Sequence, residues 1–223
     1  VFIDEAFVND VAEVIAAFVN QQTLDFASGL PAQFPLIAAG GGKEALLAQP
    51  SEFTSGSDNV VLTDGAFRIP SVYLNDWPDR YIHTDRDVPA NIDATKLLRA
   101  GFIGAATGWY LANLRAGDVD ALLGVIAQQR LLRTARMLER SRALSADEAA
   151  GLQRFHWDFE RGVVDSVARF APLSSAQRDE ATRQIDALAR LYGDGGVAPG
   201  ARGAGAAVYT RNAGPKGPMS VFG

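Results

Sequence analysis

Helical periodicity in the second half of the chain constrains the fold more than any other feature. An apolar stripe steps by threes and fours through this region and consists of Leu152, Phe155, Phe159, Val163, Val167 and Phe170. Such spacing puts apolar side chains on one face of an α-helix. Ser145 with Glu148 has the spacing of a capping box, which opens a helix. Ser174 with Gln177 repeats that spacing and predicts another helix to about residue 192.

Three further helices are predicted upstream. Apolar residues recur at helical spacing over residues 5–27, and Gly29 and Pro31 follow as stop signals. Asp93 is a plausible N-cap for a helix over about 94–114, and another runs over roughly 118–143. Basic residues cluster between Arg130 and Arg142, interleaved with glutamate and apolar residues, and we interpret them as a solvated helix face.

The first half of the chain has a different character. "RIPSVYLN", residues 68–75, is β-branched and aromatic and predicts a strand, and "FPLIA" could be a shorter one. We therefore predict an α/β fold with three parts. Residues 1–115 form an α/β unit, 116–192 form a helical extension, and 193–223, with nine glycines and three prolines, form an irregular tail.

Composition excludes several classes of protein. The net charge of −5 gives no basic patch for nucleic acid, and the absence of cysteine removes disulfides and thiolate metal sites. No apolar run approaches the roughly 20 residues that cross a bilayer. The chain begins at Val1 inside a helical pattern, without a signal-peptide motif, so we expect a fragment of a longer protein.

His83, one of two histidines, lies in the charged run "DWPDRYIHTDRDVPANID" directly after the predicted strand. Loops beyond the carboxyl ends of strands bind ligands in open α/β sheets, so His83 is a candidate metal ligand, although a solvated histidine is the common alternative. His156 and Glu160 are four residues apart and form either a metal pair or an ordinary helical pair. "GGGK" at 40–43 lacks the other residues of a phosphate-binding loop.

The order of three motifs resembles the co-catalytic zinc aminopeptidases, metallopeptidase family twenty-eight, which includes bacterial leucyl aminopeptidases and aminopeptidase Y. The motifs are "GSDN", "FRIPSVYLN" and "YIHTDRDV". The resemblance covers roughly residues 1–114. It implies a partial doubly wound (phosphorylase/hydrolase-like) mixed sheet and a secreted or periplasmic enzyme that removes N-terminal residues from peptides. It also implies two zinc ions, with His83 a terminal ligand and the other ligands and the general base upstream.

Several positions depart from the pattern of this family. Asn59 stands where the family has histidine, and Val88 replaces a threonine. The family often has a tyrosine directly before the ligand histidine, whereas this chain has Ile82 there and Tyr81 one residue earlier. Asp58 and Asp87 are either groups that support the metal site or plain turn residues. The resemblance implies a metallopeptidase that takes a peptide substrate and is inactive in this part alone. Separately, we interpret the helical extension as a packing or dimerisation element through which a homo-oligomer could form. The alternatives are a glutaminyl-cyclase-like acyltransferase and a catalytically degenerate binding homologue.

Overall fold

Helices are the only regular secondary structure in the part of the chain that the computed structural model describes, residues 5–51, 57–63, 67 and 69–195. The α-helices are α1 (Val8–Ala27), α2 (Asn59–Thr63), α3 (Ala94–Asn113), α4 (Val119–Ser141), α5 (Ala146–Ser166) and α6 (Ser175–Tyr192). Short 3-10 turns occupy Pro89–Asn91, Ala116–Asp118 and Val167–Arg169. None of these helices is long and apolar enough to cross a membrane.

The predicted α/β fold, with its doubly wound mixed sheet, is wrong for these residues. Residues 69–76 and the stretch "FPLIA" form no strand, and the described residues contain no sheet. Side chains such as Val and Tyr suit a pleated, half-buried surface, but they form a strand only where a second strand accepts the backbone hydrogen bonds. The side chains of this segment therefore suit a strand, but no second strand pairs with it among the described residues.

The chain divides into two compact units, each with its own packing. The first lies within residues 8–60 and 70–114, and in it α1 packs against α3. The second contains residues 115–195 with short segments near residues 5–7 and 61–69, and α5 packs there against α4 and α6. The predicted tail lies outside the described residues beyond residue 195.

Helix starts follow the caps that the sequence predicts. The Asp93 carboxylate accepts a hydrogen bond from the Lys96 amide at 2.7 Å, as an N-cap does. Ser145 and Glu148 form a complete capping box at the start of α5. Ser174 and Gln177 form another at the start of α6. These contacts confirm the predicted helix starts, because each one satisfies backbone amides that the first helical turn leaves without partners.

The core of the second unit is apolar and lies between its three long helices. The fully buried side chains include Val119, Leu122, Ile126, Trp157, Val163 and Ile185. Phe7 packs edge-on against Phe170, with ring centroids 5.1 Å apart, and its amide donates to the Ser166 hydroxyl at 3.1 Å. The predicted stripe of α5 is only partly buried, since Phe155 is 48% exposed while Trp157 fills the core.

Candidate functional site

The loop around His83 is built from its own hydrogen bonds. Asp79 Oδ1 accepts from the amides of Tyr81 and Ile82 at 2.8 and 3.1 Å. The Thr84 hydroxyl donates to the Tyr81 carbonyl at 2.6 Å, and the Asp87 amide donates to the Thr84 carbonyl at 3.2 Å. These contacts form short turns on both sides of His83 and fix the direction of the chain there.

His83 is exposed and has a φ of 62°, in the left-handed region. A residue with a Cβ atom rarely adopts this conformation, which costs roughly 1–2 kcal/mol for an L-amino acid. The hydrogen-bonded turns on both sides hold it in this conformation. The loop can therefore present an imidazole to a ligand or a metal that approaches from outside the unit.

The other candidate residues do not assemble a metal site with His83. Asp87 lies in the same loop and is exposed, whereas Asp58 and Asn59 lie at the start of α2, far along the chain. Among the described residues no group of three or more His, Asp or Glu side chains could hold a metal ion. Tyr81 is joined to the loop through its backbone. The assignments of Asp58, Asn59, Tyr81 and Asp87 to a site stay predictions.

The glycine-rich segment 40–43 has a structural role at the start of α3. The Gly42 amide donates to Asp93 Oδ2 at 2.8 Å, and together with the Lys96 amide it lowers the pKa of this carboxyl. Arg99 is buried and donates to the carbonyls of Leu36 and Glu44, at 3.2 and 2.7 Å. The N-terminus of α3 is thus covered by the chain's own carboxylate and loop.

A buried ion-pair cluster lies between α4 and α5. Glu160 is 0% exposed, and both of its oxygens accept from Arg133, from Nε at 2.6 Å and from Nη2 at 2.9 Å. Arg130, 2% exposed, brings Nε to 3.6 Å from the same carboxylate. Two guanidinium groups surround Glu160, so the charge here disfavours a cation and the pair with His156 is structural.

His156 completes the cluster. Its Nε2 lies 3.0 Å from the Thr134 hydroxyl, and its Nδ1 lies 3.9 Å from Glu160. Burial lowers the pKa of the imidazole, and the charge of Glu160 opposes this shift. Burial therefore favours the neutral form of the ring.

The interpretation of the basic residues as a solvated face is wrong for Arg130 and Arg133. Arg130 lies one helical turn after Ile126 and two after Leu122, on the stripe that fills the core. The position of Arg130 on this apolar stripe is the sequence signal from which its burial could have been predicted. A charge on an apolar stripe requires a buried partner of opposite sign, and Glu160 is that partner.

Comparison with protein-family models, with curated proteins and with solved structures gives no match for this chain. The family resemblance thus rests on the ordered motifs of the sequence.

Proposed function

We propose that His83 is a zinc ligand of a metal-dependent aminopeptidase-like hydrolase that acts on peptide N-termini. The observation that carries the proposal is the His83 loop, in which an exposed imidazole is held in a left-handed conformation by hydrogen bonds on both sides. Unusual backbone conformations that the surroundings enforce are frequent at functional sites. The order of the three motifs supplies the class of reaction.

The described residues do not fit a complete zinc centre. Such a centre takes three or four protein ligands, and His83 offers one. No catalytic step is assigned to the described residues for this reason. In this proposal the loop contributes one coordinating nitrogen, and the resemblance implies that the other ligands and the general base lie upstream. The proposal does not use the sheet, because the described residues form none.

Turnover of an aminoacyl nitroanilide by the intact gene product tests the proposal. We expect His83→Ala to lower kcat at least 100-fold, because even residues that only orient a metal ligand cost about 10–100-fold. Asp85→Ala is the matched control, since this exposed residue lies in the same loop, and it should keep its activity. Unchanged turnover in His83→Ala would exclude the ligand assignment.

The same assay separates the alternative functions. Cyclisation of an N-terminal glutamine peptide without nitroanilide hydrolysis would identify the acyltransferase. A folded protein that holds no zinc and turns over neither substrate would identify a degenerate binding homologue. Each of these outcomes contradicts the aminopeptidase proposal.

A further inference from the structure

Helix α3 exposes its apolar face and buries its polar one. Its buried residues are Thr95, Arg99, Ile103 and Thr107, three of which are polar. Four large apolar side chains of α3 are exposed: Leu97, Leu98, Phe102 and Trp109, with exposed fractions of 63%, 41%, 36% and 70%. A helix on the surface of a soluble protein has the opposite arrangement. This inversion indicates that another apolar surface covers the exposed side of α3.

The exposed residues form one continuous surface, which we name the α3 outer face. Besides the four large side chains it contains Gly101, Gly104, Ala105 and Gly108, all exposed. At 3.6 residues per turn these positions fall within roughly 160° of the helix circumference. None of them carries a charge. Apolar patches of this kind mark interaction surfaces in folded proteins.

The α3 outer face has a ridge beside a groove. Leu98, Phe102 and Trp109 form the ridge, because they lie on one side of the face at spacings of four and seven. Gly101, Gly104 and Gly108 form the groove on the other side. A Cβ atom at Gly101 or Gly108 would have no neighbour within 4 Å, so the groove is open at these two positions. At Gly104 the Leu74 side chain lies 3.9 Å away, and Leu97 lies on the same side one turn before Gly101.

We propose that a second copy of this chain covers the α3 outer face and forms a two-fold symmetric dimer. A ridge and a groove on the same face are self-complementary, because a two-fold axis places each ridge in the groove of the other copy. Small residues let the two backbones approach closely. The face brings no like charges together, which a pairing of identical surfaces requires.

The available area fits a weak dimer. With roughly 200 Å² for each large side chain, the exposed fractions give roughly 400 Å² of apolar surface per copy. The glycine backbone and the alanines enlarge this, and two copies reach about 1,000 Å², the lower limit for a specific interface. We therefore expect a dissociation constant in the micromolar range. The inference is independent of the role of His83.

Sedimentation velocity from about 1 to 200 µM protein tests the dimer. Wild-type protein should shift from monomer to dimer in this range. Gly108→Leu should weaken association at least tenfold because its side chain fills the groove. Leucine also favours the helix over glycine, so the fold is retained, which circular dichroism checks. Trp109→Glu should weaken association as strongly by placing a charge on the ridge.

Leu131→Glu is the matched control, because Leu131 is 54% exposed on α4 in the second unit. Its association should equal that of wild type. A wild-type protein that stays monomeric at 200 µM would overturn the proposal, as would a Gly108→Leu variant that associates normally. Loss of the dimer in Leu131→Glu would move the interface to the helical extension and equally contradict it.

Discussion

Replacement of Glu160 by glutamine is expected to destabilise the second unit severely. The carboxylate is 0% exposed and pairs with Arg133 through two contacts of 2.6 and 2.9 Å. Glutamine has nearly the same volume as glutamate, so the substitution opens no cavity and tests the effect of the negative charge alone. It removes the negative charge from beside two guanidinium groups, and Arg130 is 2% exposed. Removal of one partner from a buried ion pair costs about 3–5 kcal/mol.

The assay is urea denaturation followed by the fluorescence of Trp157. This indole is 2% exposed in the second unit, whereas Trp77 and Trp109 are 72% and 70% exposed, so the blue-shifted emission reports on Trp157. Glu180→Gln is the control, because it removes the charge from a solvent-exposed pair with Arg183. Its urea midpoint should stay close to that of wild type.

A Glu160→Gln variant within about 1 kcal/mol of wild type would refute the reasoning. Such a result would mean that water reaches the cluster, or that the two arginines leave the core when the carboxylate is gone. In either case the expected cost of a buried charge without its partner would not apply to this cluster.

Three further substitutions test the packing within each unit. Burial lowers the folded-state pKa of His156 below its ordinary value of 6.5, so the unfolded chain takes up the proton first as pH falls. The contribution of neutral His156 to stability should be fully present above pH 6.5 and should decline below it. Urea midpoints measured from pH 7.5 to 5 should therefore fall less in His156→Gln than in wild type. Gly41→Ala would push a Cβ atom into Thr95 at the start of α3 and should lower stability by about 1–3 kcal/mol. Gly124→Ala, where the new Cβ meets nothing within 4 Å, should raise it by up to about 1 kcal/mol. A difference in urea midpoint between wild type and His156→Gln that does not change with pH would contradict the first expectation. Equal changes in thermal stability in Gly41→Ala and Gly124→Ala would contradict the second.

The helices were predictable from the sequence because their signals are local. Asp93, Ser145 and Ser174 each satisfy amides within their own first turn, so the residues that specify a helix start are neighbours in the chain. Helix α3 was predicted over 94–114 and extends over Ala94–Asn113. Boundaries of this kind need no knowledge of the rest of the fold.

The absence of a sheet from the described residues and the presence of the buried cluster were not predictable, because each depends on contacts distant in sequence. A strand at residues 68–75 would need a partner strand, and the side-chain pattern alone does not provide one. Arg133 and Glu160 are 27 residues apart, and only the packing of α4 on α5 joins them. The candidate site around His83 could be predicted from the sequence only in part. The position of His83 in a polar loop was visible in the sequence, whereas its left-handed backbone and the hydrogen bonds that Asp79 accepts required the structure.

The zinc content of the intact gene product tests the central claim, that His83 coordinates a metal, most directly. Metal analysis of purified protein, after dialysis against a weak chelator, should find about two zinc ions per chain in wild type and in Asp85→Ala. His83→Ala should lose about one of them, because a zinc ion left with fewer than three protein ligands dissociates readily. Equal zinc content in wild type and His83→Ala, or none in either, would contradict the claim.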